Sequence, residues 1–148
     1  NMANWCVNNI SFSGRCKNFI KQLKKHDYIN CGFEIVKGGR CIFYLQEIDD
    51  GIFQFESKWI PPNKELLQRA KNGRFSFEND FEELAMNIYG KAIYDAETDS
   101  YQEWCLLDEV FDRIGSTDDG DYTIDGVVVD EIYTFLENEM EKLINNKN

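Results

Sequence analysis

The fold is decided by residues 5–25, which read WCVNNISFSGRCKNFIKQLKK. From Trp5 to Ser13 the residues alternate between two faces, and one face consists of Cys6, Asn8, Ile10 and Phe12. An alternation with period two predicts a strand. After Gly14 the spacing becomes that of a helix, whose apolar side consists of Cys16, Phe19, Ile20 and Leu23. The stretch therefore predicts a strand followed by an amphipathic helix over Arg15–Leu23.

The next segment has the pattern of an antiparallel meander. Phe33–Val36 and Cys41–Gln46 are β-prone runs on either side of a turn that contains two glycines. Such a turn accepts the positive φ angles of a hairpin. A further turn ending at Gly51 leads into Ile52–Lys58, which predicts a third strand. Pro61 and Pro62 then end the sheet, and the pattern predicts a helix over Asn63–Lys71.

The second half gives a less uniform pattern. Arg74–Glu78 predicts a strand, whereas residues 80–94 fit a helix and a strand about equally well. Ser100 and Glu103 have the spacing of a capping box, which predicts a helix from Ser100 to Ile114. A last helix is predicted from near Asp125, with Val128, Val129, Ile132, Leu136, Met140 and Leu143 inward and a frayed polar tail over 145–148.

The charges are divided unevenly along the chain. Residues 1–74 contain 12 Lys and Arg against 7 Asp and Glu, a balance of +5, and residues 75–148 contain 4 against 20, a balance of −16. An acidic block of this size repels nucleic acid and attracts basic protein surfaces. It can also serve only as a solvated surface, and both interpretations stay open.

Length and composition favour one cytoplasmic domain. The chain has 148 residues, which suffice for one packed core. We expect Asn1 to be the remnant of a purification tag and Met2 to be the natural start. The sequence contains no secretion signal and no apolar run of bilayer length. Five scattered cysteines without Cys-x-x-Cys spacing predict reduced, mostly buried thiols rather than a zinc site.

Two segments carry a resemblance to a known family. The first reads MANWC over residues 2–6 and continues through Asn8, Ile10, Phe12 and Gly14, and the second is the Trp59-Ile60-Pro61-Pro62 element after an aromatic-rich strand. Together they resemble the YubB-type ferredoxin-like family of phage and plasmid proteins. The resemblance implies an antiparallel sheet with two helices on one face, and it implies no catalytic residues. The ring of Trp59 is expected to be buried at the corner between strand and helix.

The sequence thus predicts an α+β fold, a ferredoxin-like antiparallel sheet with helices on one face, plus a C-terminal acidic helix-loop-helix. We expect a single domain over residues 2–148, with a family core over about 2–95 and an acidic helical extension over about 96–148.

We expect no enzymatic activity, no cofactor and no metal site. His26 is the only histidine, and it follows a lysine-rich helix, where a cation favourably meets the helix dipole. Phosphate loops and nucleophile elbows are missing from the sequence. The acidic segment Ser116–Gly126 fails the EF-hand pattern, because counting from Asp119 puts Ile124 where glycine is required and Asp130 where the bidentate Glu belongs.

The main functional hypothesis is protein binding by an accessory protein of a phage, prophage or plasmid. Its partner would be a basic host or phage protein; we expect neither nucleic acid nor membrane as a partner, and the sequence predicts no particular oligomeric state. The candidate protein-binding residues are acidic: Asp108, Glu109, Asp112, Asp118, Asp119, Asp121, Asp125, Asp130 and Glu131.

The alternative hypothesis is a module that binds single-stranded nucleic acid through the basic half. Ferredoxin-like sheets can present aromatic side chains for base stacking, as RRM domains do, although the RNP1 pattern is missing here. The candidate residues for this alternative are Arg40, Phe43, Tyr44, Phe53 and Lys58.

Overall fold

The computed structural model describes residues 4–146. The expectations for Asn1 and Met2, and part of that for the C-terminal tail, lie outside this range. The described residues form two compact units, one that ends at Glu103 and one that begins at Trp104.

The first unit is built around one large antiparallel sheet. Its strands are β1 Trp5–Gly14, β2 Phe33–Glu34, β3 Cys41–Asp49, β4 Ile52–Lys58, β5 Phe75–Glu83, β6 Ile88–Asp95 and β7 Ser100–Cys105. Its helices are α1 Lys17–Lys25 and α2 Asn63–Gly73, with a 3₁₀ turn at Leu84–Met86. The strands lie in the order β2-β3-β4-β1-β5-β6-β7.

The first strand lies at the centre of this sheet. β1 is antiparallel to both neighbours, so that Asn8 lies opposite Phe55 of β4 and Phe81 of β5. The chain path β1-α1-β3-β4-α2-β5 gives a ferredoxin-like arrangement, to which β2, β6 and β7 are added at the edges. The predicted ferredoxin-like α+β class is therefore confirmed.

One face of the sheet packs against the two helices. Phe19 and Leu23 of α1 and Leu66 and Ala70 of α2 belong to the same buried cluster as the inward residues of the strands. Those strand residues include Cys6, Ile10, Phe53, Phe55, Phe75, Phe77 and Phe81. The helix predicted over Arg15–Leu23 is thus present and packs as expected.

The strands and the helix predicted over residues 33–71 are also present, although β2 covers only Phe33–Glu34 of the predicted Phe33–Val36. β2 pairs with β3 so that Phe33 lies opposite Ile42, and β4 spans Ile52–Lys58 as predicted. α2 begins directly after Pro62, whose carbonyl accepts the first helical bond from Leu66 at 2.9 Å. The segment 80–94, which the sequence left open, contains the end of β5, the 3₁₀ turn and nearly all of β6, which pairs with β5.

The second unit is a small α+β unit. Its elements are α3 Asp108–Phe111, β8 Ile114–Ser116, β9 Tyr122–Ile124, β10 Val127–Val128 and α4 Tyr133–Asn145. The three strands form a sheet in the order β10-β9-β8. Leu136 and Met140 are the buried residues of α4.

The helix predicted from Ser100 to Ile114 is wrong. Ser100–Cys105 is a strand, a single helical turn follows at Asp108–Phe111, and Ile114 begins another strand. The capping box does not form, because Ser100 Oγ bonds Thr98 Oγ1 and Glu103 Oε1 accepts from Asn63 Nδ2. Sheet pairing outweighs the local capping preference, a common case of tertiary context overriding propensity.

The predicted start of the last helix near Asp125 is also wrong, because α4 begins at Tyr133. Asp125 and Gly126 have φ angles of 53° and 84° and join β9 to β10 as a tight hairpin turn. Val128, which was expected to face inward, is 55% exposed. Asp-Gly between β-branched residues is a strong hairpin signal that the sequence offered.

None of the helices within residues 4–146 combines the length and the apolar character needed to cross a bilayer.

Candidate functional site

The nine acidic candidate residues all lie at the surface of the second unit and are all exposed. Asp108 and Glu109 form the first turn of α3, and Asp112 ends it. Asp118, Asp119 and Asp121 occupy the connection between β8 and β9. Asp125, Asp130 and Glu131 follow between β9 and α4.

Two of the nine carboxylates serve local structure. Asp125 accepts hydrogen bonds from Nε and Nη2 of Arg113 at 2.8–3.2 Å. This pairing lowers the pKa of the Asp125 carboxyl below its usual value. Glu131 accepts from the hydroxyl of Thr134 and from the backbone N–H groups of Tyr133 and Thr134, so it caps α4, and these bonds lower the pKa of Glu131.

The other seven carboxylates have no cationic partner among the described residues. The two cations of residues 104–146 are already engaged, Arg113 with Asp125 and Lys142 with Glu139 at 2.8 Å. We call the seven residues the acidic surface: Asp108, Glu109, Asp112, Asp118, Asp119, Asp121 and Asp130. A group of exposed, unneutralised carboxylates on one compact unit attracts cationic groups over a distance of about one Debye length, ~8–10 Å.

The residues of the nucleic-acid alternative come together only in part. Lys58 Nζ lies 5.4 Å from the ring centre of Phe43, and Arg40 Nη1 donates to the carbonyl of Lys58 at 3.3 Å. The rings of Phe43 and Tyr44 are 6.1 Å apart. Phe53 is only 1% exposed, because it points into the core beneath α1, and so it does not belong to this surface.

Trp5, an aromatic residue that the alternative did not include, lies beside this group. Trp5 contacts Phe43 and Tyr44 at ring distances of 5.2 and 5.7 Å, and Lys58 Nζ lies 5.9 Å from its ring. Trp59 follows Lys58, and the backbone N–H of Trp59 donates to the carbonyl of Asn4 at 2.7 Å. Trp5 could have been identified from the sequence, because the alternation of β1 places it on the face opposite Cys6. Trp59 was expected to be buried, but it is 45% exposed.

The backbone is strained at two exposed aromatic residues, Tyr44 and Trp59. Tyr44 has a φ of 56° within a bulge of β3, and Trp59 has a φ of 71° directly after β4. A bulky residue in the left-handed region is an outlier that costs about 1–3 kcal/mol. Both rings are about half exposed, so core burial does not offset this cost fully. Strain of this kind often occurs where a protein presents a side chain to a ligand.

His26 ends α1 as expected, and it also contacts a cysteine. His26 Nε2 lies 3.2 Å from the carbonyl oxygen of Cys31 and 3.4 Å from its Sγ. A carbonyl only accepts, so Nε2 carries the proton and cannot at the same time accept the proton of the thiol. The contact closes the loop after α1 and is not a nucleophile and base in catalytic arrangement.

The cysteines are less buried than expected. None of the five cysteines is in a disulfide; Cys31 and Cys105 are exposed, and Cys16 and Cys41 are half-buried. Cys6 is fully buried, and burial raises the pKa of its thiol to about 12.

No group of three or more His, Cys, Asp or Glu side chains within residues 4–146 is arranged to hold a metal ion. In the segment Ser116–Gly126, the carboxylate of Asp125 is bound to Arg113. The backbone N–H of Gly120 donates to the carbonyl of Thr117, and the backbone N–H of Asp121 donates to the Thr117 hydroxyl oxygen. The prediction that this segment binds calcium weakly or not at all remains to be tested.

The sheet order, the two helices on one face and the central position of β1 define a ferredoxin-like α+β protein. The chain belongs to the family described as the ferredoxin-like domain in Api92-like protein, whose model matches residues 42–125. The matched range continues past Asp95 into the second unit. No curated protein matches the chain, and no solved structure does.

Proposed function

We propose that this chain is a non-catalytic accessory protein that binds a basic protein through its acidic surface. The observation that carries the proposal is the group of seven exposed carboxylates without a cationic partner among the described residues. Arranging so many like charges on one small unit raises its electrostatic free energy through self-repulsion. A basic partner removes that repulsion and gains attraction at the same time.

The physical character of such a surface predicts how the partner binds. Exposed charge contributes more to the rate of association and to specificity than to the final affinity. Binding is therefore fast and falls steeply as salt is added. The short strands and turns of the second unit hold the carboxylates in place, so little ordering is required when the partner arrives.

The resemblance of the N-terminal segments to the YubB-type family supports an origin on a phage, prophage or plasmid. In that setting the partner is a basic host or phage protein that acts in the cytoplasm, such as one that handles nucleic acid or serves in defence. The hydrogen bond between His26 and the Cys31 carbonyl supports the non-catalytic assignment, because it engages Nε2 of the only imidazole in the sequence.

The test is an affinity capture from host lysate, treated with nuclease, at low and at high salt. The variant Asp118→Asn/Asp119→Asn/Asp121→Asn removes three charges from the connection between β8 and β9 and keeps the size of each side chain. We expect a basic protein to be captured by the wild-type chain, to dissociate at high salt and to be lost with this variant. Its binding is then measured with the purified pair.

The matched control is Asp50→Asn/Glu56→Gln/Glu97→Gln, which makes the same change in net charge within the first unit. This control should capture the same protein as the wild type. The proposal is wrong if capture survives neutralisation of the acidic surface. It is also wrong if the captured species is RNA or DNA and neutralisation strengthens the capture.

A further inference from the structure

The sheet of the second unit ends in a short edge strand. Its strand order is β10-β9-β8, so β10 pairs with β9 on one side and has no strand on its other side within residues 4–146. Val127 lies opposite Ile124, and Val128 lies opposite Thr123. An edge strand presents backbone N–H and C=O groups to which a further strand can bind.

The register decides which backbone groups of β10 are open. Val127 and Val129 direct their N–H and C=O groups towards β9, and the N–H of Val129 donates to the carbonyl of Tyr122 at 2.9 Å. In an antiparallel pair the residue between two such positions directs both groups outwards. The N–H and C=O of Val128 therefore point away from β9, and no hydrogen bond joins them to another described residue.

The side chains along this edge are apolar and exposed. Val127 is 66% exposed and Val128 is 55% exposed, and as neighbours in a strand they lie on opposite faces. Tyr122, which is 45% exposed, shares the face of Val127, because Val127 lies opposite Ile124, two residues along β9 from Tyr122. A strand added beside β10 would cover apolar surface that now faces solvent.

The charge of the second unit opposes pairing of this edge with a second copy of the chain. Residues 104–146 contain two Lys and Arg against twelve Asp and Glu, a balance of −10, and both cations are paired with carboxylates. Two such units repel each other when their edges approach. Edge strands are commonly protected by Lys or Pro, and β10 has neither. A strand that pairs with it must therefore bring positive charge.

Two members of the acidic surface flank the edge at the end of the hairpin away from the turn. The N–H of Thr117 donates to the carbonyl of Asp121 at 2.8 Å, which continues the pairing of β8 and β9 beyond the end of β9. Alternation then puts Asp121 on the face of Val128 and Tyr122 on the other face. Asp130 comes two residues after Val128 and is exposed. One face of the hairpin is thus apolar, and the other is flanked by carboxylates.

We propose that β10 takes up an extended segment of the partner as an additional strand, and that Lys or Arg alternates with apolar residues in this segment. Val128 donates its N–H to a backbone carbonyl of the segment and accepts a backbone N–H in return. The apolar side chains pack beside Val127 and Tyr122, and the cations lie near Asp121 and Asp130. This inference rests on the proposed binding of a basic protein and specifies the form in which that protein binds.

The probe is an acetylated and amidated peptide of about nine residues in which lysine alternates with valine, a usual length for a strand. Its affinity for the purified full chain is measured by calorimetry at low and at high salt. Exchange of the Val128 amide hydrogen with solvent is measured by NMR. We expect binding that weakens with salt, and we expect exchange at Val128 to slow at least about tenfold in the complex, because this N–H becomes hydrogen-bonded.

The informative variant is Val128→Pro, which removes the outward N–H and leaves the net charge unchanged. Proline is tolerated on an edge strand where the N–H faces solvent, and a melting curve shows whether the variant is folded. We expect it to bind the peptide about tenfold more weakly than the wild type. The matched control is Val128→Thr, which keeps the N–H and the branched shape and should lose less than about threefold.

The inference is wrong if Val128→Pro and Val128→Thr bind the peptide alike, or if exchange at Val128 is unchanged in the complex. In either case, binding that is lost with Asp118→Asn/Asp119→Asn/Asp121→Asn still supports the proposed function, with the acidic surface as the contact and the edge strand unused. If neither the peptide nor pentalysine, which has the same charge, binds the wild-type chain, the inference and the proposed function both fail.

Discussion

Asn79 donates a hydrogen bond of 3.0 Å from its side-chain amide to the side-chain oxygen of Asn8, and both residues are fully buried. They are diagonal neighbours on β5 and β1, since Asn79 lies opposite Ile10, and they are 71 positions apart in sequence. Asn8 in turn donates to Ser57 Oγ at 3.0 Å and to the carbonyl of Cys6 at 3.1 Å. Asn79 also donates to Asn63 at 3.0 Å, so one polar network joins three strands to the start of α2.

Replacing the central member of this network should destabilise the fold. Asn8→Ala removes the acceptor of Asn79 and the donor to Ser57, and it leaves both groups buried. We expect the free energy of unfolding to fall by about 2–4 kcal/mol, measured by urea denaturation. The control Asn9→Ala, on the open face of the same strand, should cost less than about 1 kcal/mol. Equal losses of stability for the two variants would show that the buried network contributes no more to stability than the hydrogen bond of Asn9.

The strained backbone at Tyr44 predicts an inverted preference between glycine and alanine. Both Tyr44→Gly and Tyr44→Ala lose the ring contact with Trp5, but only glycine adopts a φ of 56° without strain. We expect the glycine variant to be the more stable by about 1 kcal/mol. At Gln54, in regular strand backbone, alanine should instead be favoured by about 0.5–1 kcal/mol. Thermal or urea unfolding of the four variants tests this prediction. The prediction is contradicted if the glycine and alanine variants have the same order of stability at both sites.

The buried thiol of Cys6 predicts a change of stability in alkali. Burial raises its pKa from 9.0 to about 12, so the thiol stays protonated in the folded state while it ionises in the unfolded state. The contribution of the protonated thiol to the free energy of unfolding is complete below pH 9. As the pH rises towards 12 this contribution is lost, and the free energy of unfolding falls by up to about 1.4 kcal/mol per pH unit. The measurement is urea unfolding at several pH values. Cys6→Ala should show a shallower decline, and an identical decline would refute the assignment.

The same burial predicts which thiols react. Iodoacetamide should label Cys31 and Cys105 in the folded protein and should label Cys6 only after unfolding, as measured by mass spectrometry of peptides. Rapid labelling of Cys6 under native conditions would mean that the core opens readily.

Calcium should leave the melting temperature unchanged. The segment between β8 and α4 lacks the glycine and the bidentate Glu of a calcium loop, and Asp125 is occupied by Arg113. Melting curves with millimolar calcium and with a chelator should therefore coincide. A stabilisation of several degrees would show that the folded state binds the ion, since such ligands raise stability by mass action.

Much of the first unit could be predicted because its signals are local and consistent. β1 and α1 follow from a change of period at Gly14, α2 from two prolines, and β4 from a turn and an alternating run. Residues 80–94 stayed open because their apolar residues fit both periods, and only pairing with neighbouring strands selects one. The acidic candidates were placed at the surface from composition, but the engagement of Asp125 and Glu131 by Arg113 and α4 depends on contacts that the sequence pattern does not contain.

The sequence by itself determined the inward faces of β1 and α1 and the separation of basic from acidic residues, because each is a property of neighbours along the chain. The ferredoxin-like class was implied by the resemblance of two segments to a known family. Tertiary structure decided the rest. Ser100–Cys105 became a strand because an available sheet edge satisfies its backbone better than an isolated capped helix would. Trp5, Tyr44 and Lys58 form one surface only because β1, β3 and β4 lie side by side, and residues distant in sequence meet only when the strands that carry them have paired.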